Sequence, residues 1–256
     1  IIAVSNQLYG VETIIKGTIK GFDNQTLKAG VYKDYFTSQK AWISSVVIEN
    51  GKFSLPIDLE KTTQVLLRVE DKETSLFAEA GKVYNLKLSY NESANQGQSF
   101  NKFLDLSFTF PETDETNQLI KKFNKDYQDF FTENYRKMLA KVGKEETNAF
   151  IEKWKKADDF RQNEFVGNYV KYAIANLEDI NGETSKTKLF EEYLKEQTIL
   201  YQHKEYINFF TQFYKNDFGQ IALLKESKEL LKAIMFENDL QKSRRETARI
   251  KNMANE

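Results

Sequence analysis

The chain has 256 residues, with 37 basic against 38 acidic side chains, one histidine, two prolines and no cysteine. Without cysteine this sequence holds no dithiol redox centre, thiolate nucleophile or thiolate metal site. A chain of this length buries roughly 70% of its unfolded surface and needs no disulfide staple. The charges cancel in each half as well as overall, so neither half carries the excess that nucleic-acid binding uses.

The first residues, Ile1-Ile2-Ala3-Val4-Ser5, are apolar and then small. They read either as the stub of a secretory signal with a small-x-small cleavage pattern or as a frayed first strand. The signal reading is adopted, and with it a periplasmic or cell-envelope address. No apolar run approaches the roughly 20 residues of a membrane-spanning helix.

From Val11 to Phe22 apolar and polar residues alternate, the period-2 pattern of a half-buried strand. Gly17 and Gly21 fall within or at the end of it and suggest a bulge. A short strand follows at Leu27 to Tyr32, then a β-branched one at Ala41 to Ile48. Asn50-Gly51 supplies the positive φ angles of a tight turn, which predicts a hairpin into the alternating Phe53, Leu55 and Ile57. Pro56 inside that strand marks it as an edge. Val65, Leu67 and Val69 form the next strand, turning at Asp71-Lys72; Ser75 to Glu79 and Val83 to Tyr90 read as a further hairpin around Gly81. Close-spaced strands without a helical pattern between them indicate an antiparallel sandwich.

The alternation stops near Asn95-Gln96-Gly97, inside a polar linker from Asn91 to Ser99. Pro111 and Thr113-Asp114-Glu115 then open a helix whose stripe runs through Leu119, Phe123, Tyr127, Phe130 and Met138 to a stop at Gly143. A second helix carries Phe150 and Trp154 to about Asp158. A third carries Phe165, Tyr169, Val170, Ile174 and Leu177 to Asn181-Gly182. A fourth is expected over Thr187 to Leu200, a fifth over Glu205 to Lys215, and a last from about Gln220 towards Arg249. The fold expected is therefore α+β: an antiparallel β-sandwich over 11–93 followed by an all-α helical array over 99–256.

The candidates for chemistry are few. His203 is the only imidazole, and a general base needs an orienting carboxylate and a nucleophile within reach. Glu205 lies two positions on, off the same helix face. Asp158-Asp159 and Glu145-Glu146 are carboxylate pairs, but adjacent acids on a helix diverge by about 100° and form no ready dyad. Lys242, Arg244, Arg245, Arg249 and Lys251 make a basic cluster that reads as the solvated face of the last helix. Trp42 and Tyr84 could line a sugar site, although aromatic residues of a sandwich are more often core or cross-strand partners. No catalytic, cofactor-binding or metal-binding residue is assigned, and no cofactor is expected.

Several segments resemble the N-terminal β domain of bacterial TlpA-type thioredoxin-like proteins: Ile15-Lys16-Gly17-Thr18-Ile19, Asn50-Gly51-Lys52-Phe53 and Phe77-Ala78-Glu79-Ala80-Gly81-Lys82-Val83-Tyr84. Tyr169 to Ala175 and Tyr206 to Phe210 resemble the helical spacer of the same proteins. The thioredoxin module with its Cys-x-x-Cys centre has no counterpart in this sequence, so the resemblance transfers no catalytic residue. It implies an envelope location and an accessory role. The function expected is an extracytoplasmic, non-catalytic module that binds another protein. The alternative is a hydrolase, or a protein binding an apolar ligand, with its cleft between the two domains.

Overall fold

The computed structural model describes residues 10–91, 102–108, 115–140, 142–157, 160 and 162–215. The signal-like start, the Asn95-Gln96-Gly97 linker, Asp158-Asp159, the last helix and its basic cluster lie outside the described residues. The class is α+β, with two packed β-sheets first and five helices after them among the described residues. Contacts divide the chain into Ile1–Ile207 and Asn208–Glu256. The sheets and the first four helices therefore share one compact unit.

Seven strands form close to where the sequence predicts them: β1 (Val11–Ile19), β2 (Thr26–Tyr32), β3 (Lys40–Val47), β4 (Lys52–Leu59), β5 (Thr63–Val69), β6 (Lys72–Ala78) and β7 (Val83–Ser89). Two short ones follow, β8 (Lys102–Phe103) and β9 (Asp105–Phe108). One sheet has the order β4-β1-β7-β9 and the other β3-β2-β5-β6-β8. The inner faces meet through Ile15, Leu55, Tyr84 and Leu86 on one side and Leu27, Val65, Leu67 and Leu76 on the other, all buried. Each such side chain contributes roughly 1.5–3 kcal/mol when taken out of water.

Both predicted hairpins are corrected. Asn50 and Gly51 do adopt the left-handed conformation, at φ 51° and 67°, and Glu49 and Lys52 exchange backbone hydrogen bonds across the turn. Yet β3 pairs with β2 and β4 with β1, in different sheets. The turn is held between partners: Ile48 N–H donates to the Gln25 carbonyl at 2.9 Å, while Ile19 N–H donates to the Gly51 carbonyl at 2.8 Å. The Asp23 carboxylate accepts from Gly51 N–H at 2.6 Å and ties the corner together. The segment between β6 and β7 also changes sheets. Buried Thr13 of β1 captures it, its hydroxyl accepting from Gly81 N–H at 3.0 Å, and Ile14 N–H donates to the Lys82 carbonyl at 3.1 Å. The turn between β5 and β6 does make a hairpin, with Val69 opposite Lys72.

Two pairings, β1 with β7 and β6 with β8, are parallel, so the sheets are mixed. Pro56 lies on β4, an edge of its sheet, as its missing N–H demands. Gly17 marks no bulge. It faces Leu86 of β7, where an added Cβ would stand 2.1 Å from the Leu86 carbonyl oxygen. The bulge falls instead between Ala29 and Gly30, opposite β3.

The helices are α1 (Thr116–Leu139), α2 (Lys144–Lys155), α3 (Glu164–Asn181), α4 (Lys186–Tyr193) and α5 (Lys204–Phe213). Their predicted stripes are buried together: Phe123 meets Trp154 edge-on at 4.8 Å, and Phe130 stacks on Phe150 at 4.2 Å. Gly182 ends α3 in the left-handed conformation, its N–H donating to the Glu178 carbonyl. The fourth helix stops at Tyr193, well short of the predicted Leu200. Leu194 and Lys195 N–H both donate to the Phe190 carbonyl, and Glu196 turns left-handed at φ 58°.

Beyond its short pairing with β8, the outer edge of β6 is met by a side chain. Asn117, in the first turn of α1, accepts from Phe77 N–H and donates to the Phe77 carbonyl, both at 2.8 Å, as a neighbouring strand would. On the outer face of that sheet, Phe77 packs against Phe165 at 5.3 Å and Tyr169 at 5.9 Å of α3. Asn117→Ala leaves both backbone groups of Phe77 without these partners and is expected to cost about 2 kcal/mol. Urea denaturation checks the loss, and faster amide exchange at Phe77 places it.

Candidate functional site

Alternation along β6 and the apolar stripe of α3 bring Phe77, Phe165 and Tyr169 together, and His203 closes over them just before α5. The cleft there measures about 200 Å³, and Tyr35, Gln64, Asn124 and Glu205 add polar groups to its lining. His203 is 5% exposed, its ring centroid 4.8 Å from that of Phe165 and 6.2 Å from that of Tyr169. Nε2 lies 3.2 Å from the Phe165 carbonyl oxygen. A carbonyl only accepts, so Nε2 carries the proton and Nδ1 the lone pair. Nδ1 is buried without a hydrogen-bond partner. Burial pulls the imidazole pKa down to about 4, against the Phe165 carbonyl and with a smaller push from Lys61.

The arrangement does not suit a general base. A base at neutral pH wants a pKa near 7 and a proton donor in reach, whereas this ring has the Phe165 carbonyl at Nε2 and, among the described residues, no hydrogen-bond partner at Nδ1. Glu205 shares the cleft, and its charge helps burial to hold Tyr127 and Tyr169 up to about 12. Several of the other polar groups of the cleft satisfy one another. The Tyr35 hydroxyl donates to Gln64 Oε1, Gln64 Nε2 donates to Ser75 Oγ at 2.9 Å, and the Tyr169 hydroxyl donates to Asn124 Oδ1 at 3.1 Å.

Glu145 and Glu146 lie in the first turn of α2, where the helix dipole favours acids. Glu146 is exposed and accepts from Lys137 Nζ at 2.8 Å, which holds its pKa low. Among the described residues no three histidine or acidic side chains gather as a metal site, and no helix is long and apolar enough to cross a membrane. Tyr84 is core, its hydroxyl accepting from Glu79 N–H at 2.7 Å.

Trp42 is different. It lies on β3, at the edge of its sheet, and is 42% exposed, with Ile43 at 42% and Val47 at 47%. Phe36 is exposed in the preceding loop. The Trp42 ring covers Gly30, where a Cβ would meet it at 2.8 Å, and the Arg68 guanidinium lies 5.9 Å from its centroid. Among the described residues no strand pairs with the outer side of β3. Sequence reasoning missed this edge, although the adjacent Trp42 and Ile43 break the alternation where the bulge forms.

Residues 13–152 match the model of a family described as a domain of unknown function, DUF4369. No curated protein matches the chain. Among solved structures, a 9R-lipoxygenase from Cyanothece PCC8801 aligns at 11% identity over 91% of this chain and 32% of its own, with a TM-score of 0.23. The chain thus spans about a third of that structure's length, and so loose a superposition bears on neither fold nor function.

Proposed function

The chain belongs to the DUF4369 family, and from that premise we propose that it is a non-catalytic module of the cell envelope that binds another protein. The β3 edge carries this reading. Natural sheets blunt an open edge with charge, proline or a cover; β4, one edge of the other sheet, carries Pro56, whereas β3 presents Trp42, Ile43 and Val47 to solvent. An extended segment of a partner added to such an edge gains main-chain hydrogen bonds, with the apolar side chains setting specificity. The His203 cleft favours binding over hydrolysis, because among the described residues its neutral imidazole bonds only the Phe165 carbonyl. The segments resembling TlpA-type proteins support a role as the non-redox part of a thioredoxin-like protein.

A photo-crosslinking amino acid at Val47, with the full-length gene expressed in its own cells, tests the reading. The expected result is one discrete adduct with a second protein, found in the envelope fraction, and none from the same probe at Asp58 on β4. Ile43→Lys is expected to abolish the adduct while changing stability by no more than about 0.5 kcal/mol. Equal labelling from both edges, or an adduct that survives Ile43→Lys, would sink the assignment.

A further inference from the structure

A half-open groove of about 480 Å³ lies between α2, α3 and α4, within the roughly 300–1,000 Å³ of small-molecule sites. Gly167, Val170 and Ile174 line it from one face of α3, as their spacing of three and seven residues requires. Trp154 of α2, Phe160 and Tyr193 of α4 supply aromatic surface, and Gly167 adds no side chain to fill the space.

The cations of this groove are not equivalent. Lys155 is paired with Glu178 at 2.9 Å and with the half-exposed Glu192 at 3.0 Å, so its charge is already countered. Lys171 makes no ion pair among the described residues. Its Nζ donates to the neutral Oε1 of Gln197 at 3.0 Å and lies 5.2 Å from the Tyr172 ring centroid. Partial burial pulls its pKa down, only weakly opposed by Glu192. A partly desolvated ammonium without a bonded counter-charge is costly, and an anion placed against it recovers that cost.

We propose that this groove binds a small anionic amphiphile, its hydrocarbon body along Val170 and Ile174 and its carboxylate on Lys171 Nζ. Lys171 supplies the positive charge at one end and Trp154, Phe160, Val170 and Ile174 the apolar wall, while Glu164, Asn168 and Glu192 complete the lining; a carboxylate seated on Lys171 Nζ therefore sets the preference over a neutral or cationic ligand. The site is separate from the β3 edge, so either assignment can fail alone.

The chain has two tryptophans, so Trp42→Phe leaves Trp154, in the groove lining, as the sole indole reporter. In that background decanoate, decanol and decyltrimethylammonium are titrated below their micellar concentrations, with calorimetry on the same samples. Decanoate is expected to change Trp154 emission saturably and to bind about tenfold tighter than decanol. Lys171→Met keeps the apolar stem and is expected to erase that preference while leaving decanol binding unchanged; Lys171→Arg keeps most of it. Absence of saturable binding in both readouts, equal affinity for all three probes, or a preference intact in Lys171→Met overturns the proposal.

Discussion

Gly17→Ala is expected to destabilise the sandwich severely. Its new Cβ would stand 2.1 Å from the Leu86 carbonyl oxygen and 2.8 Å from the Leu86 carbonyl carbon, both main-chain atoms. No rotamer change relieves such a clash. Gly17 is also paired on its other side with Phe53 of β4, so β1 cannot step away without disturbing a second ladder. Relief requires opening the parallel β1–β7 pairing, which runs from Ile14 opposite Val83 to Ile19 opposite Leu88. That pairing holds buried Ile15, Tyr84, Leu86 and Leu88. The cost expected is above about 4 kcal/mol, in the exceptional range for one substitution, against a total stability of roughly 5–15 kcal/mol. Circular dichroism and urea denaturation read the result, with the exposed neighbour change Lys16→Ala as control at about 0.5 kcal/mol or less. A Gly17→Ala protein within about 1 kcal/mol of the parent, the ordinary range of single substitutions, would mean that β1 and β7 do not approach as described.

The elements legible in the sequence are those whose own side chains decide the matter. Phe53, Leu55, Ile57 and Leu59 alternate because β4 buries one face, and the pairs Leu119 and Phe123 in α1, Phe150 and Trp154 in α2, and Val170 and Ile174 in α3 recur at helical spacing because each helix buries one stripe. What partners lie across the ladder was not legible. Asn50-Gly51 dictates a two-residue turn, but whether the strands stay paired depends on Ile19 and Gln25, which are distant in sequence. The short β9 was overlooked within residues assigned to the helical part, although Leu104, Leu106 and Phe108 alternate, because four residues carry too little pattern to stand out. The burial of His203 was hidden for the opposite reason. Its neighbours Gln202 and Lys204 are polar, and the aromatic cover comes from Phe165 and Tyr169, more than thirty residues upstream. Phe77 likewise occupies the outward phase of β6 and is covered only because α3 packs there.

That cover makes stability depend on pH through one identifiable group. His203 has a folded pKa of about 4, set first by burial and then by Lys61, against the Phe165 carbonyl, whereas an unfolded histidine titrates near 6.5. Between those values the unfolded chain takes up a proton that the folded chain refuses. The stabilisation is therefore complete above about pH 6.5 and is lost progressively as pH falls towards 4. At roughly 1.4 kcal/mol per unit, the loss amounts to roughly 3 kcal/mol. Exposed carboxylates lowered by local bonds, Asp34 beside Thr37 and Glu146 beside Lys137, weaken the fold in the same direction. They are common to parent and variant, so the difference between the two isolates the imidazole. His203→Gln keeps a side-chain N–H for the Phe165 carbonyl and removes the titration. Its urea-derived stability is expected to vary less between pH 4 and 6.5 than the parent's, by roughly 3 kcal/mol. Because the chain has one histidine, its imidazole resonances report the folded pKa without ambiguity. Titration near 6.5, or superimposable pH profiles for the two proteins, would show that the ring is open to water and that α3 does not seal it.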